Sequence, residues 1–400
     1  MEGEMAHRTI RIYLILGALF TGSISFIVAT YVLFLISRGL NLFEVNLVNA
    51  VFMATLFVTE VPTGAVADTW GRKAAFITAC VLLGSGMFLY YVSYSFWGFA
   101  LAEAVAAVGS TCATGAFQAW LVDTLRHRGY TGPLDRIFVR EQQVKELGTI
   151  MGAVAGAYLG KLDLALPWLM GGSMFMATAI VAALAMREEY FEPQRLTLGT
   201  GLDSMRQTIA ASARYGFGHK EVRFLLLLGF ALAFATQAPN MQWQPRFAAH
   251  LGDRALLGWL WAGMSLSLFL GASVAKWFLR QARNEPRQAL LAAQVFVGSG
   301  ILLAGAGTWF PAVITFFLWH EVGRGVYRPL KDAYLNQNVP SPERATLLSF
   351  EAMANHVGSL LGLIVSGWVA QYGSIRAAWM LSGSLLVLSA IAGLWNGQRR

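Results

Sequence analysis

Gly64-Ala-Val-Ala-Asp68-Thr-Trp-Gly71-Arg72-Lys73 is the stretch on which the reading of this chain turns. It is a short polar break between two long apolar runs, and its residue types come in a physically meaningful order. Gly64 lets two helices approach closely. Gly71 supplies a tight turn with positive φ. Asp68 is a fixed anion at the edge of the apolar region. Its expected partners are Arg72 and the positive N-terminus of a later helix that starts at Ser341-Pro342-Glu343, a good cap followed by proline at the first helical position. Gly64, Asp68, Gly71, Arg72 and Lys73 are read as a latch between two parts of the molecule. The alternative is a basic turn that only sets orientation.

Runs like the two beside this break fill the chain. A helix needs about 20 apolar residues to cross a bilayer. Spans are expected at roughly 10–34, 44–67, 74–94, 97–125, 139–163, 165–187, 222–248, 254–279, 288–308, 310–335, 344–369 and 374–396. Hydrophobic residues make up 56% of the 400 and charged residues 13%, which leaves too little polar surface for a soluble protein. The expected fold class is an all-α membrane protein of twelve transmembrane helices.

Charge gives the orientation. Arg8, Arg11, Arg72, Lys73, Arg126 and Arg128 lie on one side of the spans, as do the basic residues of the central loop and of the C-terminus; only Arg38, Lys161, Arg246, Arg254 and Arg376 lie opposite. Positive loops stay cytoplasmic, so both termini are expected inside a cytoplasmic (inner) membrane. The net charge of +8 is this orientation signal, aided by anionic lipid, and calls for no nucleic acid. No cleavable signal peptide is expected, because the run after Arg8 and Arg11 is too long and ends at Ser37-Arg38. Cys80 and Cys112 fall within spans and read as core filler. No metal site or cofactor is expected.

The segment 188–221 is the one long gap. It reads as a cytoplasmic linker, with a surface amphipathic helix over 202–215, between domains at 1–187 and 222–400. Internal similarity points the same way: a shift of 210 puts Glu141, Gly148 and Gly152 on Glu351, Gly358 and Gly362, and Gly115 on Gly325. Two pseudo-symmetric six-helix bundles would flank a site near the midplane.

The pattern from Gly64 to Lys73, placed between the second and third of twelve spans, resembles the signature loop of the major facilitator superfamily, with Thr69 where a basic residue is usual. Glu60-Val-Pro-Thr-Gly64 and the later Tyr334-Leu-Asn336 with Arg344-Ala-Thr resemble a bacterial subgroup often grouped with drug exporters. The resemblance implies a monomeric secondary transporter with a central cavity lined by spans one, four, seven and ten.

A charge at mid-membrane costs about 2.5–3.5 kcal/mol on insertion scales and is usually paired or functional. Span ten carries His320, Glu321, Arg324 and Arg328, and span eleven carries Glu351, Asn355 and His356. These form either a polar cluster for substrate and protons or a set of ion pairs bolting two helices together. Span seven offers Gln237, Asn240 and Trp243 on one face, with Pro239 expected to break the helix. Span four adds Gln118 and Glu103, the latter close enough to the outer surface to reach water. The cavity candidates are Gln118, Gln237, Asn240, Trp243, His320, Arg324 and Asn355. The proton-coupling candidates are Glu321, His320, His356, Glu351, Glu60 and Glu103. Lys145, four residues from Glu141, should neutralise it, and Gly148, Gly152, Gly156 and Gly160 form a smooth packing stripe. Trp97, Trp168, Trp309 and Trp379 read as interfacial anchors. No Gly-x-Ser-x-Gly, His-Glu-x-x-His or phosphate loop is found, so an enzyme is not expected. The expected activity is proton-coupled export of a small amphipathic solute by alternating access. An uncoupled facilitator or importer of a small metabolite is the alternative.

Overall fold

A computed structural model describes residues 2–188, 190, 220–282, 285–338 and 341–398, with side chains left undescribed at 2–4, 60–68, 336, 341–350 and 394–398. The expected amphipathic helix at 202–215 lies outside these residues. All regular structure among the described residues is helical, and the apolar runs become the helices. The first span is split into α1 (Glu2–Ser25) and α2 (Tyr31–Ser37). The second and third are α3 (Leu42–Trp70) and α4 (Arg72–Val92). The fourth is split into α5 (Phe96–Ala113) and α6 (Ala116–His127). The fifth and sixth are α7 (Asp135–Leu162) and α8 (Leu166–Ala185). In the second half the spans are α9 (Lys220–Ala248), α10 (Leu256–Gln281), α11 (Pro286–Ala306), α12 (Phe310–Asn338), α13 (Ser341–Tyr372) and α14 (Ile375–Gln398). By length and composition, nine described segments are long and apolar enough to cross a membrane. The segments that miss that mark are α7 and α12, which carry the ionisable residues singled out above, and the interrupted first span.

The helix ends follow local chemistry. Asn41 and Glu44 form a reciprocal capping box at the start of α3, each side chain accepting from the other's backbone N–H at 3.0 and 2.9 Å. Gly71 separates α3 from α4 at φ +93°, as its place in the loop predicts.

Packing repeats between the halves. In the first, α1 pairs with α7, α4 with α5, and α4 with α8; in the second, α9 pairs with α13, α11 with α12, and α11 with α14. The glycine stripe explains one such pair. A Cβ at Gly148, Gly152 or Gly156 would stand 2.8, 2.5 or 1.8 Å from the carbonyl oxygens of Ala18, Gly22 and Phe26 on the first span. Gly358 and Gly362, the positions aligned with Gly148 and Gly152, do the same work against Phe230 and Phe234 of α9, at 2.7 and 2.3 Å. Repeated small residues let backbones touch where side chains would hold them apart.

By contact, the helices form two compact units, and each includes one helix end from the other half of the sequence. The first takes in Leu251–Trp261 and the second takes in Asn41–Met53. Within the first unit, Gly258 packs against Ala153 and Ala157 of α7, and Lys161 Nζ lies 2.5 Å from Asp253 Oδ2. Within the second, Gly367 packs against Asn46, and the N–H of Leu42 donates to Gln371 Oε1 at 3.0 Å.

Several expectations are corrected. Spans one and four are broken, between Ser25 and Tyr31 and at Thr114–Gly115, where Gly115 has φ +76°. The aligned Gly325 instead sits in unbroken helix, pressed on the carbonyl of Leu268. Pro239 does not break the seventh span: α9 continues through it. Trp97 and Trp309 are exposed as interfacial residues should be, but Trp168 and Trp379 are buried. Trp168 stacks on Tyr90 with ring centres 3.9 Å apart. Trp379 stacks on Phe317 at 5.5 Å under the Arg246 guanidinium. Cys80 and Cys112 are buried free thiols.

Candidate functional site

The second unit holds a polar cluster on α9, α12 and α13. The i, i+3 spacing on α12 brings Arg324 Nη1 to Glu321 Oε1 at 2.8 Å, and the same nitrogen donates to Asn240 Oδ1 on α9 at 3.1 Å. Glu321 is 1% exposed and Arg324 29%. The pair therefore has one end in the core and the other partly open. Glu321 Oε2 makes no hydrogen bond among the described residues. His320 Nδ1 contacts the carbonyl oxygen of Phe317, which places the ring proton on that nitrogen. Its Nε2 then presents a lone pair to Glu321 Oε1, 3.4 Å away. His320 is fully buried and its Cβ packs toward Gly300 of α11, so it is not a cavity wall as expected; one residue before Glu321, it is turned into the core.

Lower on the same helices, Lys331 Nζ donates to both oxygens of Glu351, at 2.9 and 3.1 Å. Asn355 shares that face of α13, as its i, i+4 spacing predicts, and both side chains lie beside Gly229 of α9. Gln237 donates to Ser359 Oγ at 3.0 Å. Trp243 is 1% exposed and stacks on Phe317, so it is a core residue and offers no surface for cargo. His356 is half-buried on α13.

The first unit holds the counterpart. A hollow of about 320 Å³ is lined by Gly17 and Phe20 of α1, Phe76 of α4, Thr114 and Gln118 at the break in span four, and Lys145 of α7. Gln118 is exposed there. Glu141 pairs with Lys145, as its spacing predicts. Glu141 and Glu351, aligned by the sequence repeat, are thus both buried carboxylates held by a lysine. One lysine comes from the same helix and the other from a neighbour.

Glu103 does not reach water. It is buried, and its Oε1 accepts from the hydroxyls of Tyr31 and Tyr90, each at 2.6 Å. Both tyrosines pack on Trp168. These partners were invisible in the sequence, since they come from spans one and three.

At the loop that opened the reading, Arg72 Nε pairs with Asp123 Oδ2 at 2.9 Å. Sequence reasoning missed Glu188, whose two oxygens accept from the backbone N–H groups of Arg72 and Lys73 at 2.8 and 3.0 Å and so cap α4. Lys73 Nζ donates to the carbonyl of Ala183. The side chains of Glu60, Gly64 and Asp68 lie outside the described residues. Beyond the membrane spans, the hydrogen bond from Lys161 holds the Asp253 carboxyl below its ordinary range. No group of three or more metal-binding side chains occurs among the described residues.

Comparisons agree with this architecture. The family model of the Major Facilitator Superfamily matches residues 224–399. The uncharacterized MFS-type transporter YxaM of Bacillus subtilis is 22% identical over 90% of this chain and 87% of its own. The multidrug resistance protein MdtH of Salmonella arizonae is 22% identical over 83% of this chain and 80% of its own. Among solved structures, the nucleoside transporter NupG superposes with a TM-score of 0.80 at 15% identity, covering 98% of this chain and 100% of that one. A peptide transporter POT gives 0.75 at 12% identity, covering 100% and 98%. Signature loop, repeated helix pairing and relatives matched over most of their length converge: residues 224–399 match the superfamily's model, and the chain is similar throughout to multi-pass membrane transporters of the major facilitator superfamily.

Proposed function

We propose that this transporter exports a small amphipathic organic solute across the inner membrane in exchange for protons, with its termini and central loop in the cytoplasm. The observation that carries the coupling is the pair His320 and Glu321. Two buried acceptors face each other at 3.4 Å, and one proton between them would give His320 Nε2 the partner it lacks. Proton binding there would loosen the hold of Glu321 on Arg324, freeing the guanidinium and Asn240 for cargo. The charge bias supports the orientation, and the multidrug resistance relatives support export.

The test is transport in proteoliposomes under an imposed pH gradient. Wild type should respond to the gradient. Glu321→Gln should keep counterflow exchange of solute yet lose that response, and an unchanged gradient dependence would reject Glu321 as the coupler. The second reading, an uncoupled facilitator, is favoured by one feature: Glu141, Glu321 and Glu351 each already hold a cation. Wild-type transport indifferent to the pH gradient would establish it.

A further inference from the structure

A further hollow belongs to neither polar cluster. It is a slot of about 650 Å³ in the second unit, walled by α9 and α11. Those two helices scarcely touch, and α14 packs against both to form the floor. At one end stand Lys220, Arg223 and Arg287. The walls beyond are Phe224, Leu227, Phe230 and Ala231, with Ala392 and Gly393 beneath. Gln294, which donates to Ser389 Oγ at 2.7 Å, closes the far end. From Lys220 to Ala231 the helix rises about 16 Å. That is about the depth of one hydrocarbon leaflet, half of roughly 30 Å.

We propose that this slot binds one anionic glycerophospholipid of the leaflet on the basic side, with its phosphate among Lys220, Arg223 and Arg287 and one acyl chain laid along the apolar walls. Arg287 is built for the task. Its guanidinium lies 4.4 Å over the ring of Phe224, which fixes its direction. Its Nε–H has no hydrogen-bond acceptor among the described residues. Glu221 is the acid that faces Arg287 among the described residues. It lies 3.6 Å from Arg287 Nη1 and also accepts from the hydroxyl of Tyr334, so it neutralises the cations only in part. A zwitterionic headgroup would bring a further cation into this excess of positive charge. The slot should accordingly prefer phosphatidylglycerol to phosphatidylcholine. Basic residues near a lipid surface each favour anionic lipid about fivefold.

Purified full-length protein, stripped stepwise of lipid and observed by native mass spectrometry, should retain one phosphatidylglycerol several-fold better than phosphatidylcholine. Arg223→Gln with Arg287→Gln should abolish that preference, and Ala231→Trp, which fills the slot, should release both lipids. A diazirine-bearing phosphatidylglycerol should label wild type within 224–231 and 392–393, a measurement that does not depend on any variant folding. Equal retention of the two lipids by wild type, or labels confined elsewhere, would overturn the proposal. Displacement of the lipid by inorganic phosphate alone would also do so, since it would mean the apolar walls add nothing.

Discussion

Removing the carboxylate of Glu321 and removing the guanidinium of Arg324 should not cost the same. Arg324→Ala leaves a carboxylate that is 1% exposed without its cation, a loss of about 3–5 kcal/mol for a fully buried pair, whereas Glu321→Gln leaves a cation that can still reach water and should cost about 1 kcal/mol. Thermal unfolding in detergent should rank the variants in that order, and the double variant should lose less than the two single losses combined. At Glu103 the hydrogen bonds set the hierarchy. Glu103→Gln keeps an acceptor for Tyr31 and Tyr90 and should cost little. Glu103→Ala leaves the two phenols, 3.3 Å apart, to share one hydrogen bond between them and should cost about 1–3 kcal/mol. Equal midpoints for the two variants would mean that the tyrosines find other acceptors.

Between helices, the decisive contacts are those where backbone meets backbone. A methyl at Gly156 would stand 1.8 Å from the carbonyl oxygen of Phe26, and one at Gly362 would stand 2.3 Å from that of Phe234. Either alanine must push two helices apart, at about 3 kcal/mol or more. Gly252→Ala, with nothing within 4 Å of its added Cβ, should stay within about 0.5 kcal/mol of wild type. The stripe was legible in the sequence because a four-residue spacing fixes a face whatever that face meets. The breaks after Ser25 and at Gly115 were not, because hydropathy counts apolar atoms and is blind to an interrupted hydrogen-bond ladder. Arg324 with Glu321, and Lys145 with Glu141, were readable since both partners share a helix. Lys331 with Glu351, Tyr31 and Tyr90 with Glu103, and Glu188 with the start of α4 needed the packing of separate helices. Trp168 and Trp379 misled because position at a span end says nothing about which way the ring turns.

For the molecule as a whole, the tie between Lys161 and Asp253 gives a pH control. The folded carboxyl sits below its ordinary value, so the stability it contributes is present above that ordinary value and fades only as pH falls through the lowered one. Between about pH 5 and 9 the carboxylate keeps its charge. Asp253→Asn should therefore alter transport by the same factor across that window, as measured in proteoliposomes, and a factor that varies with pH would assign a titration to this tie. The helix ends Asn41–Met53 and Leu251–Trp261 carry a separate implication. A gene split between the codons for Ala185 and Lys220 would yield two fragments, each bearing a peptide that completes the other's fold. Co-expressed, such fragments should complement one another and co-purify as an active pair, while either alone would be left with an unfilled seam and fall to proteolysis.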